Sequence, residues 1–257
     1  INIMNYGIST LSIIPMRDQP SDKEEMINQI LFGEHFKVLE VRKKWSRIRL
    51  AHDSYEGWVC NKQWIEISKE DYTQLDKEIA TITTDILDII TKSEHQPIVI
   101  GSILPFYKSG HARINDKLYK FEGLITQGFV NKKKLLENAL VYLNAPYLWG
   151  GRTPLGIDCS GFTQMVYRLQ GIDLPRDAYQ QSEVGTTLSF IEESEAGDLA
   201  FFDDQEGKIT HVGIMLEDNH IIHASGKVRI DRIDQQGIFN KETGKHTHKL
   251  RLIKSIC

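Results

Sequence analysis

Cys159 stands in Ile157-Asp-Cys-Ser-Gly-Phe, where an apolar stripe at Phe162, Val166 and Leu169 begins. That spacing predicts a helix whose first turn holds the thiol. Unpaired amides and the positive end of the helix dipole there are expected to lower its pKa and favour thiolate, a nucleophile's position. A thiolate nucleophile needs a base, and the base needs an orienter. In His211-Val-Gly-Ile-Met-Leu, strand alternation puts Val212, Ile214 and Leu216 on one face and leaves His211 and Gly213 on the other. Twelve residues on, His223 lies on what should be the neighbouring antiparallel strand, within reach of the remote nitrogen of His211. Tyr147 precedes the cysteine by twelve positions and reads either as a core aromatic or as a phenol donor to an oxyanion.

Other residue groups carry less. His220 with His223, and His246-Thr-His248 with Cys257, have spacings a metal could use, but His-Glu-x-x-His is missing. Structural or solvated roles are expected for them, with no metal and no organic cofactor. The glycines between positions 150 and 156 lack the Lys and Ser/Thr of a phosphate-binding loop, which argues against nucleotide binding. Cys60 reads as a core residue of an apolar strand, and Cys257 as inert.

The elements that must position these groups follow from the hydrophobic periodicity. Short strands are expected at residues 10–14, 36–42, 45–50, 57–60 and 64–67; in Trp45-Ser-Arg-Ile-Arg-Leu, Ile48 and Leu50 alternate with Arg47 and Arg49. Residues 1–67 thus read as a small β-barrel or meander. Leu75, Ile79, Ile82, Ile86, Ile89 and Ile90 recur at helical spacing, which predicts a helical connector over residues 68–94. A second small β unit fits residues 95–130. Over residues 131–257, Leu135, Leu136, Ala139, Leu140 and Leu143 share a helical face that Pro146 stops, the cysteine helix ends at Gly171, and four strands follow at residues 198–202, 211–216, 220–225 and 249–254. Helices first and consecutive strands after them imply an α+β unit with an antiparallel sheet.

Composition is that of a globular protein: 257 residues, 40% hydrophobic and 26% charged, with a net charge of −4. A chain this long buries roughly 70–75% of its unfolded surface and needs no disulfide staple, consistent with three widely spaced cysteines. The slightly acidic balance argues against nucleic acid as a partner, and the run Lys132–Lys134 is too short to change that. No run of about 18 apolar residues offers a transmembrane segment. The chain begins at Ile1 rather than Met, which suggests a processed start: the periplasm is expected if a signal peptide was removed, the cytoplasm otherwise.

Tyr147-Leu-Trp-Gly-Gly, Asp158-Cys-Ser-Gly-Phe, Leu174-Pro-Arg, Gly197-Asp-Leu-Ala-Phe-Phe, His211-Val-Gly-Ile and His223-Ala-Ser occur in the order found in the NlpC-type cysteine peptidases of bacterial cell-wall metabolism. Residues 131–257 resemble that family, which implies a papain-like fold. By this resemblance Cys159 matches the nucleophile, His211 the base, His223 the orienting residue and Tyr147 the oxyanion donor. Glu24-Glu-Met-Ile-Asn-Gln-Ile-Leu-Phe-Gly-Glu and Ser54-Tyr-Glu-Gly-Trp-Val look like the SH3-like domain of the γ-D-glutamyl-L-diamino acid endopeptidases, also called dipeptidyl-peptidase VI. In that branch a Glu and a Tyr of the SH3-like domain, with an Asp before the nucleophile, cap the substrate's free amino terminus. Glu25, Tyr55 and Asp158 are the matching positions.

The resemblance implies a monomeric cysteine peptidase that cuts between D-glutamate and meso-diaminopimelate or L-Lys in murein peptides with a free L-Ala terminus. Ser160 is a candidate contact to the D-glutamate, or only a helix cap. Arg176 is a candidate partner for a substrate carboxylate or for Asp177. Many relatives carry a hydroxyl where Ala178 stands, so one family contact is missing here. Two other functions compete: a non-catalytic cell-wall peptide binding module, and a thiol acyltransferase on the same fold.

Overall fold

The computed structural model describes residues 5–256. They are mostly strands, with four α-helices among the described residues, and they divide into two compact units, Ile1–Phe129 and Val130–Cys257. No described helix is long and apolar enough to cross a membrane.

The N-terminal unit begins with an antiparallel sheet of seven strands, Asn5–Ser9, Ile13–Arg17, Met26–Leu31, His35–Val41, Trp45–Leu50, Glu56–Cys60 and Trp64–Ile67. The alternation expected over Trp45–Leu50 is present: Ile48 and Leu50 are buried with Ile14, Met16, Ile30, Phe36, Val38 and Val59. Arg47 and Arg49 point outward, where both guanidinium groups grip Glu56 on the next strand at 2.6 Å. Residues 10–12 turn rather than extend, and the sequence reading overlooked the strands Asn5–Ser9 and Met26–Leu31. Cys60, expected in the core, closes its strand half-buried.

The helical connector expected over residues 68–94 is corrected. One helix, Lys69–Lys77, starts where the Ser68 hydroxyl accepts the Asp71 amide and stops at Glu78, whose backbone is extended. Ile82–Thr83 then pairs with Ile125–Thr126, and Leu87–Thr91 is a strand next to His95–Val99. Leu87 and Ile89 face solvent while Ile90 is fully buried, so apolar residues on both faces of a strand imitated helical spacing. Strands Lys117–Lys120 and His111–Ile114 complete this small sheet. Its Ile90, Ile98, Ala112, Ile114 and Tyr119 share a core with Ile8 and Ile67 of the first sheet, Phe32 of the turn after Met26–Leu31 and Tyr72 of the helix. The segments read as three separate pieces over residues 1–130 therefore form one packed unit.

The C-terminal unit opens with helix Lys132–Val141, capped by Asn131, and ends that helix five residues before Pro146. Helix Cys159–Arg168 is buried at all ten positions. Seven strands, rather than four, follow: Thr186–Leu188, Leu199–Asp203, Ile209–Leu216, His220–Ser225, Lys227–Asp234, Gly237–Asn240 and Lys245–Ser255. The last six close into a barrel, because the long strand Lys245–Ser255 pairs with both Leu199–Asp203 and Gly237–Asn240. Ala200, Phe202, Met215, Ile221, Ile233, Ile238 and Ile253 fill it.

Closure needs a glycine. Gly237 has φ +133°, and a Cβ there would sit 1.8 Å from the His248 carbonyl oxygen on the paired strand. Gly237→Ala is expected to cost at least about 1–3 kcal/mol, read as a lowered urea midpoint; an unchanged midpoint would show that the closing strands have room to part.

Candidate active site

Cys159 is the first residue of its helix, and the cap before it is Asp158. One Asp158 oxygen accepts the Gly161 amide at 2.7 Å, and the other accepts the Gly150 amide at 2.8 Å. The same two oxygens take both ends of the Arg176 guanidinium, at 3.0 and 2.5 Å. Arg176 also donates to the Ser160 hydroxyl at 2.9 Å, and all three side chains are buried. Arg176 was expected to meet Asp177 or a substrate carboxylate; its fork matches Asp158. Ser160 does not cap the helix, since Asp158 already does.

The thiol itself is buried, with the backbone amides of Val212 and Ser160 bonded toward its sulfur. Burial first, and then the Asp158 carboxylate, pushes it up to about 12, against the pull of those amides and of Arg176. This corrects the expected standing thiolate. The helix terminus is occupied by a carboxylate and the sulfur is withdrawn from water, and both favour the thiol over the thiolate expected from the helix start.

His211, the base expected from the sequence, is one residue from Val212. His211, Gly213 and Met215 share the inner face of the barrel wall, and Gly213 pairs across the sheet with His223. A Cβ at Gly213 would lie 2.8 Å from the His223 Cβ, so only glycine lets the second imidazole settle there. His211 Nε2 and His223 Nδ1 are 2.8 Å apart. His223 Nε2 continues to Asp231 Oδ2 at 3.1 Å, and Asp231 is gripped by Arg229 at 2.6 and 3.0 Å. Burial, then its imidazole neighbours, holds His211 well below the usual histidine range. His223 is also lowered by burial, which outweighs the opposite pull of Asp231. Burial raises the Asp231 carboxyl, but the hydrogen bonds and charges of His223 and Arg229 win and leave it at about 2.

Tyr147 is 36% exposed, and burial of its hydroxyl, followed by the charges of Cys159 and Asp158, lifts it well above the usual phenol range. It stays a proton donor beside the thiol. Glu25 and Tyr55 belong to the N-terminal unit: Glu25 is exposed just before strand Met26–Leu31, and Tyr55 packs half-buried on the first sheet's core. Three residues of the C-terminal site escaped the sequence reading. Asp231 and Arg229 share the inward parity of buried Ile233, and charges at inward positions of a strand were the available signal. His248, read only as a weak metal candidate, stacks on His211 with ring centroids 4.2 Å apart.

The imidazoles of residues 211, 223 and 248 bring one nitrogen each within 4.8 Å of one another. The 2.8 Å between the first two is a hydrogen bond, shorter than the roughly 3.3 Å between nitrogens on one tetrahedral ion. His246, the other half of the expected spacing, pairs with Asp234, and Cys257 lies outside the described residues.

Residues 144–247 match the NlpC/P60 family, and residues 16–63 match the bacterial dipeptidyl-peptidase SH3 domain. The chain carries an NlpC/P60 peptidase domain. The family places it among the cysteine peptidases. It is 27% identical over 256 residues to a gamma-D-glutamyl-L-lysine dipeptidyl-peptidase of Bacillus cereus, covering 87% of this chain and 75% of that protein. Identity to dipeptidyl-peptidase 6 of Lysinibacillus sphaericus is 26%, over 85% of this chain and 88% of that one. A crystal structure of an NlpC/P60 family protein from Bacillus cereus superposes with a TM-score of 0.81 at 18% identity, covering 98% and 99% of the two chains, which shows a common fold.

Two measurements test the NlpC/P60 site's electrostatics. Arg176→Met leaves the buried Asp158 carboxylate without its partner and is expected to cost about 3–5 kcal/mol in urea unfolding, part of which Asp158→Asn in the same chain should restore. In the unfolded chain, imidazoles take a proton near pH 6.5, whereas folded His248 is pushed by burial to about 4 and folded His211 and His223 are also lowered. Their contribution is complete above about pH 6.5 and is lost as pH falls, by up to about 1.4 kcal/mol per pH unit for each group. The urea midpoint should drop between pH 6.5 and 4.5; a flat profile would mean the imidazoles titrate as in water.

Proposed function

We propose that the protein hydrolyses the bond between the D-glutamate side chain and the following diamino acid, L-Lys or meso-diaminopimelate, in murein peptides that begin with a free L-Ala, and that its catalytic domain is papain-like. The observation that carries this reading is the Cys159 sulfur held by the Val212 amide, one residue from an imidazole whose other nitrogen is bonded to His223. The dipeptidyl-peptidase SH3 domain and the names of the relatives support the substrate class.

In this mechanism His211 takes the Cys159 proton, and the sulfur then forms a bond to the γ-carbonyl carbon while that carbonyl's π electrons move to oxygen. The Tyr147 hydroxyl and the Cys159 backbone amide donate to the oxyanion. When the tetrahedral adduct collapses, the C–N bond breaks and His211 returns its proton to the leaving amine. Water, deprotonated by the same imidazole, hydrolyses the thioester and frees L-Ala-γ-D-Glu. Asp158 and Arg176 hold the cysteine's helix in register on one side, and His223 holds the base on the other.

Mass spectrometry of products from L-Ala-γ-D-Glu-L-Lys, from its meso-diaminopimelate counterpart and from the N-acetylated peptides tests the reading. Cleavage of the free peptides, slowed at least about 10³-fold by Cys159→Ala, is expected. Turnover that survives Cys159→Ala would remove the cysteine mechanism, and equal turnover of acetylated peptides would remove the requirement for a free amino terminus.

A further inference from the structure

Hydrogen-bond roles along the buried relay are determined from its far end. Asp231 is a carboxylate held by the Arg229 fork, so it can only accept. The proton in its 3.1 Å contact with His223 therefore sits on Nε2 of that imidazole. A neutral imidazole with Nε2 protonated has a lone pair on Nδ1. His223 Nδ1 must then be the acceptor in the 2.8 Å contact, and His211 Nε2 the donor. The proton of neutral His211 is thereby placed on Nε2, which leaves the lone pair on Nδ1.

We propose that Asp231 is a positioning residue of the reaction: by accepting the Nε2 proton of His223 it sets the tautomers of both imidazoles, so that His211 presents an Nδ1 lone pair to the Cys159 thiol. The proton leaves sulfur for Nδ1, giving a thiolate and an imidazolium that carries protons on both nitrogens. Its Nε2 proton remains in the bond to His223, and the Asp231 charge lies behind that bond. Arg229 keeps Asp231 ionised and in plane, so the carboxylate orients the chain without taking a proton from it. The geometry is one-directional. With the opposite His223 tautomer, Nδ1–H would face His211 Nε2, which would become the acceptor, and His211 would carry its proton on Nδ1, where it is no base.

Besides His211, the groups along this path come from four elements, and Arg229 also meets Glu242 at 3.2 Å. His223 is on strand His220–Ser225, Asp231 and Arg229 are on Lys227–Asp234, His248 stacks from Lys245–Ser255, and Cys159 belongs to the helix. Of these, only Asp231 is an obligate acceptor touching an imidazole of the relay.

The inference rests on the cysteine-peptidase reading, but its test needs no substrate. Two-bond proton–nitrogen correlation spectra of the ¹⁵N-histidine-labelled protein at pH 7.5 report each ring's tautomer directly. Both His211 and His223 should be protonated at Nε2; an Nδ1–H form of either ring in the unaltered protein overturns the proposal, whatever any variant does. In Asp231→Asn, with the ring signals still dispersed as in a folded chain, His211 should redistribute toward Nδ1–H. Cys159 alkylation by iodoacetamide should then slow on the order of 10²-fold, and kcat should fall in step while KM stays within about twofold. A variant with the original tautomers and an alkylation rate within about twofold of the parent also overturns it. Failure of the broader reading looks different: peptide turnover would survive Cys159→Ala while the tautomers stood as described.

Discussion

A chain of buried polar groups must be satisfied from within, and that constraint organises the catalytic unit. From Cys159 through His211, His223 and Asp231 to Arg229, each group except the last is almost wholly withdrawn from water. In so low a dielectric an unpaired imidazole or carboxylate is expensive. The closed barrel supplies the partners: three adjacent strands place the two imidazoles and the carboxylate on one inner face, with the apolar plug of Met215, Ile221 and Ile233 beside them. Glycine at position 213 is the gap into which the second imidazole fits.

The cysteine is held by a second network of the same kind. Asp158 combines the helix cap with a bidentate ion pair, so the residue that starts the helix also ties it to the Arg176 loop. This has an electrostatic consequence. A carboxylate next to the sulfur opposes thiolate formation, and burial adds to that opposition. The helix dipole, worth a fraction of a charge, loses to a full neighbouring charge and to desolvation. Position at a helix start therefore does not by itself make this sulfur a thiolate.

The N-terminal unit follows another logic. Its two larger sheets and its helix share one core, with Phe32, Tyr72 and Phe121 contributing large buried rings. Cores of this type tolerate few gaps, so the short strands after residue 81 are held by packing as much as by their own pairing. The isoleucines of that region serve two faces, one packed on the shared core and one exposed.

Much was legible in the sequence. The helix of Cys159 showed in its apolar stripe, the pairing of the His211 and His223 strands in alternation and spacing, and the ordered motifs carried the family. These are local patterns, with periods of two and 3.6 residues that a linear text displays. Hidden were the strands Lys227–Asp234 and Gly237–Asn240, the end of the connector's helix at Lys77, and the contacts of Asp231, Arg229, His248 and Arg176. Each is defined by what it meets from a distant segment: Asp231 reads as one more charge in an exposed-looking run until barrel closure turns it inward, and Arg176 read as a partner for Asp177 or a substrate carboxylate until the fold set it against Asp158. The sequence by itself determined which polar groups start a helix or share a strand face. Only the tertiary structure decided what each of them meets, because desolvation and buried hydrogen bonds depend on which surfaces are brought together.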